Sequence, residues 1–210
     1  MRIRFVLALV ALSGVICATG CKSDNDPAPA PPEEGSAISE DDAAVIKTAI
    51  GHFSTQDFDF PFIGREAQTG ILVHRESAGG PWAKSLTDEV LSNATKWDNW
   101  TVPAEASESL RRRNAEKASL SGLELSEGII LVDLYAKPRI VFGDNRDPKD
   151  WPPNTKGFAH VWLPGYTADG RTAVVHFDFG PSEHGASATY LLTKGVGGWM
   201  VQKWSFVYYV

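Results

Sequence analysis

Apolar side chains recur first at helical spacing and then in strand-like runs, and the change falls near Gly128. Ala43, Ile46, Ala49, Ile50 and Phe53 follow the spacing that places one apolar stripe on a helix. Ser39 stands just before them, with Glu40, Asp41 and Asp42 in the next turn. A capping hydroxyl and acids there satisfy free amides and oppose the helix dipole, so a helix is predicted to start at this point. The run TGILVH, 69–74, predicts a short strand closed by the loop around Gly79, Gly80 and Pro81. Leu86, Val90, Ala94 and Trp97 predict a second helix over 86–97, and Pro103, suited to a first helical turn, predicts a third reaching Asn114. Beyond Gly128, the segments 129–134, 139–142, 158–163, 171–179, 187–194 and 199–209 are rich in valine, isoleucine, leucine and aromatics and predict strands. Asp169-Gly170 and Gly197-Gly198 predict hairpin turns, because glycine accepts a positive φ. Helices first and strands afterwards predict an α+β fold, with N-terminal helices packed on one face of an antiparallel sheet of about five to six strands.

The N-terminus has a different character. Arg2 and Arg4 precede the apolar run Phe5 to Ile16, which is too short to cross a hydrocarbon core but normal for an export signal. Small residues and Cys21 follow. Residues 1–20 are therefore expected to be a signal peptide that is removed. Residues 22–38, KSDNDPAPAPPEEGSAI, hold four of the 13 prolines and one sizeable apolar side chain. Such a segment favours extended polyproline II at about 3.1 Å per residue, a reach of roughly 50 Å. The expected organisation is a signal over 1–20, a linker over 21–38 beginning at Cys21, and a single domain over 39–210.

Charge and cysteine content narrow the function. The formal charge is −6 and becomes two units more negative when Arg2 and Arg4 leave with the signal. No basic stripe suits nucleic acid, and Arg111, Arg112 and Arg113 have a simpler role at a helix C-terminus, where cations complement the dipole. Of the two cysteines, Cys17 lies in the signal and Cys21 at its end, so the domain must hold together without a disulfide. Its length suffices, since a chain of this size buries about 70% of its unfolded surface.

Chemistry concentrates in the strands. In 171–179, Val174, His176 and Asp178 alternate with Ala173, Val175, Phe177 and Phe179, while His160 alternates with Phe158 and Trp162 on the preceding strand. His160, His176 and Asp178 on one face would supply neutral nitrogen and carboxylate groups for acid and base work, or for zinc. Their spacing matches no zinc signature, no metal or other cofactor is expected, and the plain expectation is an exposed polar sheet face. Glu183 and His184 extend the cluster as binding candidates. Ser182, in GPSEHG, lacks the strand-to-helix context and glycine spacing of a nucleophile elbow. Asp144, Asn145, Asp147 and Asp150 lack the spacing of a calcium loop. Trp151, in the proline-rich DPKDWPPNTKG, is an aromatic candidate for a sugar ring or a protein partner, while Trp97, Trp162 and Trp204 suit buried core positions, Trp162 being a further binding candidate beside the histidines.

Two resemblances extend this picture. ICATGC resembles the lipobox of bacterial lipoproteins, with Ala18 where that family usually carries leucine. It implies that Cys21 carries acyl chains and anchors the domain to a membrane, the outer membrane if the source is Gram-negative, because Lys22 is not the aspartate that signals inner-membrane retention; Ala18-Thr19-Gly20 also suits ordinary signal cleavage, which would release the protein. The tail, ADGRTAVVHFDFGP, HGASATYLLTK and GGWMVQKW, resembles a widespread group of poorly characterised secreted bacterial proteins, and its closing hairpin is similar to cystatin-like and nuclear-transport-factor-like cone folds. That likeness implies a curved sheet wrapping a helix, but no particular activity. The expected function is a membrane-tethered, non-catalytic domain of the cell envelope that binds a ligand, an envelope protein or a glycan. The alternative is an envelope hydrolase or metal-dependent enzyme built on His160, His176 and Asp178.

Overall fold

The computed structural model describes residues 38–56, 70–80, 91–92, 98–121, 123, 129–133, 155–180 and 186–208. The predicted first helix forms as α1, Glu40–Ser54. Its start is a complete capping box: the Asp42 amide donates to Ser39 Oγ and the Ser39 amide donates to the Asp42 carboxylate, each at 3.1 Å. The predicted third helix forms as α2, Ala104–Arg113, with Pro103 one residue earlier than expected, at the N-cap, where its carbonyl accepts from the Ser107 amide at 3.0 Å. Leu91 and Ser92 are helical, and the rest of the second predicted helix lies outside the described residues. No helix among the described residues is long and apolar enough to cross a membrane.

Among the described residues seven strands form one open sheet: β1 Gly70–His74, β2 Ile129–Val132, β3 Thr155–Val161, β4 Gly165–Tyr166, β5 Thr172–Gly180, β6 Ala186–Gly195 and β7 Gly198–Tyr208. They run in the order β2-β1-β3-β5-β6-β7, with β4 beside β5. The fold is α+β, but the sheet is larger and more mixed than predicted. β1 pairs in parallel with both β2 and β3, whereas the remaining pairs are antiparallel. Parallel neighbours need a crossover connection of a dozen or more residues, and α2, lying between β1 and β2 in the chain, is part of one. The predicted strand 139–142 lies outside the described residues.

β3 and β4 lie one after the other along the same edge of β5, interrupted by Trp162 to Pro164. Pro164 has no amide to give a ladder, which suits that interruption. Asp169-Gly170 therefore closes β4 onto β5 rather than joining β3 to β5 directly, with Gly170 at φ 65°. The β6–β7 turn places Gly198 at φ 108°.

The helices occupy opposite faces of the sheet, not one face as expected. Ile71, Val73, Ala159, Val161, Ala173, Val175, Phe177, Phe179, Ala188 and Tyr190 form the main core with Val45, Ile46, Ala49, Ile50 and Phe53 of α1. On the other face Val174 packs with Ala106 and Leu110 of α2 and with Leu91, Trp100 and Val102. The two helices still meet at one end: Arg113 at the close of α2 donates both terminal nitrogens to Asp42 of α1, at 2.6 and 2.7 Å.

Candidate functional site

The second face, the one that carries Val174, changes character along its strands. Near α2 it is apolar, with Val174 buried and Leu191 packed beside it. Beyond that, alternation brings His74 of β1, His160 of β3, His176 and Asp178 of β5, Ser187 and Thr189 of β6 and Ser205 of β7 to the same side. Register orders them into two rows. His160 lies opposite Asp178, which lies opposite Ser187. His176 lies opposite Thr189, which lies opposite Ser205, and the Trp162 amide donates to the His176 carbonyl at 3.0 Å on the other side.

The alternation that predicted one shared face for His160, His176 and Asp178 is reproduced. His176 Nε2 lies 3.3 Å from Asp178 Oδ1, and its Nδ1 shares a hydrogen bond with Thr189 Oγ1 at 3.1 Å. The expected exposed polar face is not found. His176 is 1% exposed, and Ser187, Thr189 and Ser205 are buried with it, whereas the Asp178 side chain is 42% exposed. A strand's alternation states which residues share a side but not whether that side meets water.

Trp162 occupies the buried core position expected of it rather than an accessible binding surface: it is 1% exposed, and its ring meets His176 edge-on at 5.7 Å between centroids. Trp151, Glu183, His184, Ser182 and Cys21 lie outside the described residues, as do the acidic loop from Asp144 to Asp150 and the linker up to residue 37.

His74, Thr189 and Ser205 were not singled out from sequence. His74 ends β1 with its ring centroid 5.2 Å from that of His160. Burial pushes the His160 imidazole down to about 4, helped by neighbouring His74 and opposed by Asp178. Burial lowers His74 as well, against the opposing effects of the Val132 carbonyl, Glu76 and Asp133. His160 is thus neutral at ordinary pH. The signal for Thr189 and Ser187 was present in ASATYLLTK, where they alternate with Ala188 and Tyr190, but their meaning required the partner strand.

Among the described residues no three His, Cys, Asp or Glu side chains are gathered as a metal ion would need. A separate cavity of about 310 Å³ is lined by Arg112, Arg113, Glu116, Lys117 and Leu163 among others. Its cations are largely matched: Arg113 by Asp42, Lys117 by Glu76 at 3.4 Å, and Glu116 sits in the wall itself.

Comparison of the chain with protein-family models, with curated proteins and with solved structures gives no match. Function must be argued from the residues themselves.

Proposed function

We propose that this chain is an exported, lipid-anchored domain of the cell envelope, held by Cys21 on the 22–38 linker, that binds its ligand on the polar half of the second sheet face without transforming it. The observation that carries this reading is a buried strip of hydroxyls and imidazoles on a sheet whose opposite face is apolar. Buried polar groups are expensive unless they serve a network or a ligand. The cone-like, curved sheet implied by the tail belongs to the same proposal. Packing of α1 against β5, β6 and β7 supports it, while the parallel pairs of β1 lie beyond the antiparallel sheet that it implies.

The hydrolase alternative has one observation in its favour. Thr189, His176 and Asp178 form a chain of hydroxyl, imidazole and carboxylate, with contacts of 3.1 and 3.3 Å, as in a nucleophilic triad. Its exposure runs the wrong way for attack. In a working triad the hydroxyl meets the substrate and the carboxylate is buried; here Thr189 is 3% exposed and the carboxylate is the open end. A substrate would reach the acid first. Binding is the better reading, and purified protein is expected to show no esterase, peptidase or glycosidase turnover above background. Turnover abolished by His176→Ala would reverse this conclusion. Capture of an envelope partner that is lost on Trp151→Ala would place binding in the proline-rich loop instead.

A further inference from the structure

We propose that the tip of the β6–β7 hairpin, from Gly195 to Met200, rests in a lipid surface and fixes the orientation of the domain on the membrane. This inference rests on the reading of Cys21 as an acylated anchor and adds a second lipid contact to it.

The tip carries more apolar surface than its turn requires. Gly195 pairs with Gly198, so Val196 and Gly197 form a two-residue turn. Such turns favour glycine, asparagine and aspartate, which tolerate the backbone conformation and meet water readily. Valine has neither advantage, and Val196 is fully exposed, so it adds no buried area to the fold. Met200, 50% exposed, extends the same patch: its methyl carbon lies 2.8 Å from where a Cβ on Gly195 would sit. Among the described residues the one other large apolar side chain so exposed is Ile130, on the opposite edge strand of the sheet.

The position of the tip identifies its partner. The Trp199 indole donates to Asp41 at 3.2 Å, and Lys194 donates to both Asp41 carboxylate oxygens at 2.6 and 2.9 Å. These bonds pin the hairpin to the first turn of α1, which the linker enters through Ile38, itself packed on the main core. Val196 follows Lys194 by two positions, roughly 7 Å along the chain. An anchor at Cys21 therefore draws toward the membrane the same end of the domain that carries the tip. Val196 and part of Met200 give little affinity alone, but a linker with a reach of roughly 50 Å keeps their effective concentration at the surface high. Two side chains are also too few for a stable protein interface. Lys194 is matched by Asp41, so the contact is apolar rather than a recognition of headgroup charge. With the tip in lipid, Asp178, which stands opposite Ser187 roughly 30 Å along β6 from Val196, turns its exposed carboxylate away from the membrane.

The test attaches a fluorophore at Gly197→Cys, where an added Cβ meets nothing within 4 Å, and in a second chain at Thr55→Cys, exposed at the far end of α1. With Cys17 removed in the signal and Cys21 acylated, the added thiol is the one that reacts. The full mature chains are reconstituted in phosphatidylcholine vesicles that contain nitroxide-bearing lipid. Quenching several-fold stronger at 197 than at 55 is expected. Val196→Asp is expected to bring quenching at 197 down to the level at 55, with near-ultraviolet circular dichroism unchanged. Equal quenching at the two positions, or quenching at 197 indifferent to Val196→Asp, would overturn the tip contact while leaving the anchor intact, since mass spectrometry and vesicle flotation report the anchor separately. If Cys21 proves unmodified, the same labels are placed in a Cys21→Ser chain: stronger quenching at 197 then keeps the lipid contact and removes the anchor, and its absence removes both. Crosslinking of the 197 thiol to an envelope protein without lipid quenching would assign the tip to a protein partner and overturn the proposal.

Discussion

Asp42 joins more of the molecule than any neighbour in its helix. Its carboxylate accepts from both terminal nitrogens of Arg113, from the Tyr166 hydroxyl at 2.8 Å and from the Ser39 amide, and Arg113 also donates to the Pro164 carbonyl. Burial pushes the Asp42 carboxyl up, but Arg113, Tyr166 and Ser39 together outweigh burial and leave it below its ordinary value of 3.8. Its stabilising contribution is therefore complete above that value and is lost as pH falls through the lower, folded one. Asp42→Asn is expected to cost about 3 kcal/mol in urea denaturation at neutral pH, because Arg113 is left uncompensated, and to remove this part of the acid dependence. His160 acts with the opposite sense of charge. Between its ordinary 6.5 and the folded value of about 4, the unfolded chain takes up a proton that the folded chain refuses. Stability should fall by roughly 2–3 kcal/mol as pH drops across that window and level off below it. Unfolding curves of His160→Gln between pH 7 and 4 are expected to be flatter than those of the parent. At this scale the sequence was only half readable. Strand alternation grouped His160, His176 and Asp178, but His74, Thr189 and Ser205 gain their roles from register partners in other strands, and Arg113 gains its role from an acid 71 positions away.

Between elements, α2 packs on β4 at backbone distance. A Cβ on Gly165 would lie 2.2 Å from the Ala106 carbonyl oxygen and 2.3 Å from the Leu110 amide nitrogen, both backbone atoms that cannot turn aside. Gly165→Ala is expected to destabilise the fold by about 3 kcal/mol, with faster amide exchange along α2 as the specific readout. Asn114 secures the same join: fully buried, it donates to the Leu110 and Leu163 carbonyls and accepts from the Leu163 amide, each at 2.8 Å. The elements themselves were largely legible. α1, β1, β5, β6 and β7 fall within a residue or two of their predicted spans, because caps, turn glycines and apolar periodicity are local signals. β4 was missed because two residues carry no period, and the parallel pairing of β1 was missed because strand direction depends on the path of the connections.

For the whole molecule, the proposed tether would decide where any ligand is met. Cys21→Ser expressed in a bacterial host with lipoprotein processing is expected to move the mature chain from the membrane to the soluble fraction, and mass spectrometry of the parent N-terminus should show the acyl chains that the variant lacks. An unmodified parent cysteine would argue for a released protein instead. By itself the sequence determined the capped first helix, the glycine turns, the alternating faces of the long strands and the signal-like N-terminus, since each is written in neighbouring residues. The tertiary structure alone decided that the helices lie on opposite faces, that the polar face is buried rather than wet, and that His176 bridges Thr189 and Asp178. The physical reason is that burial and pairing are set by residues distant in the chain, so no local pattern can tell a solvated polar strand face from one that is enclosed.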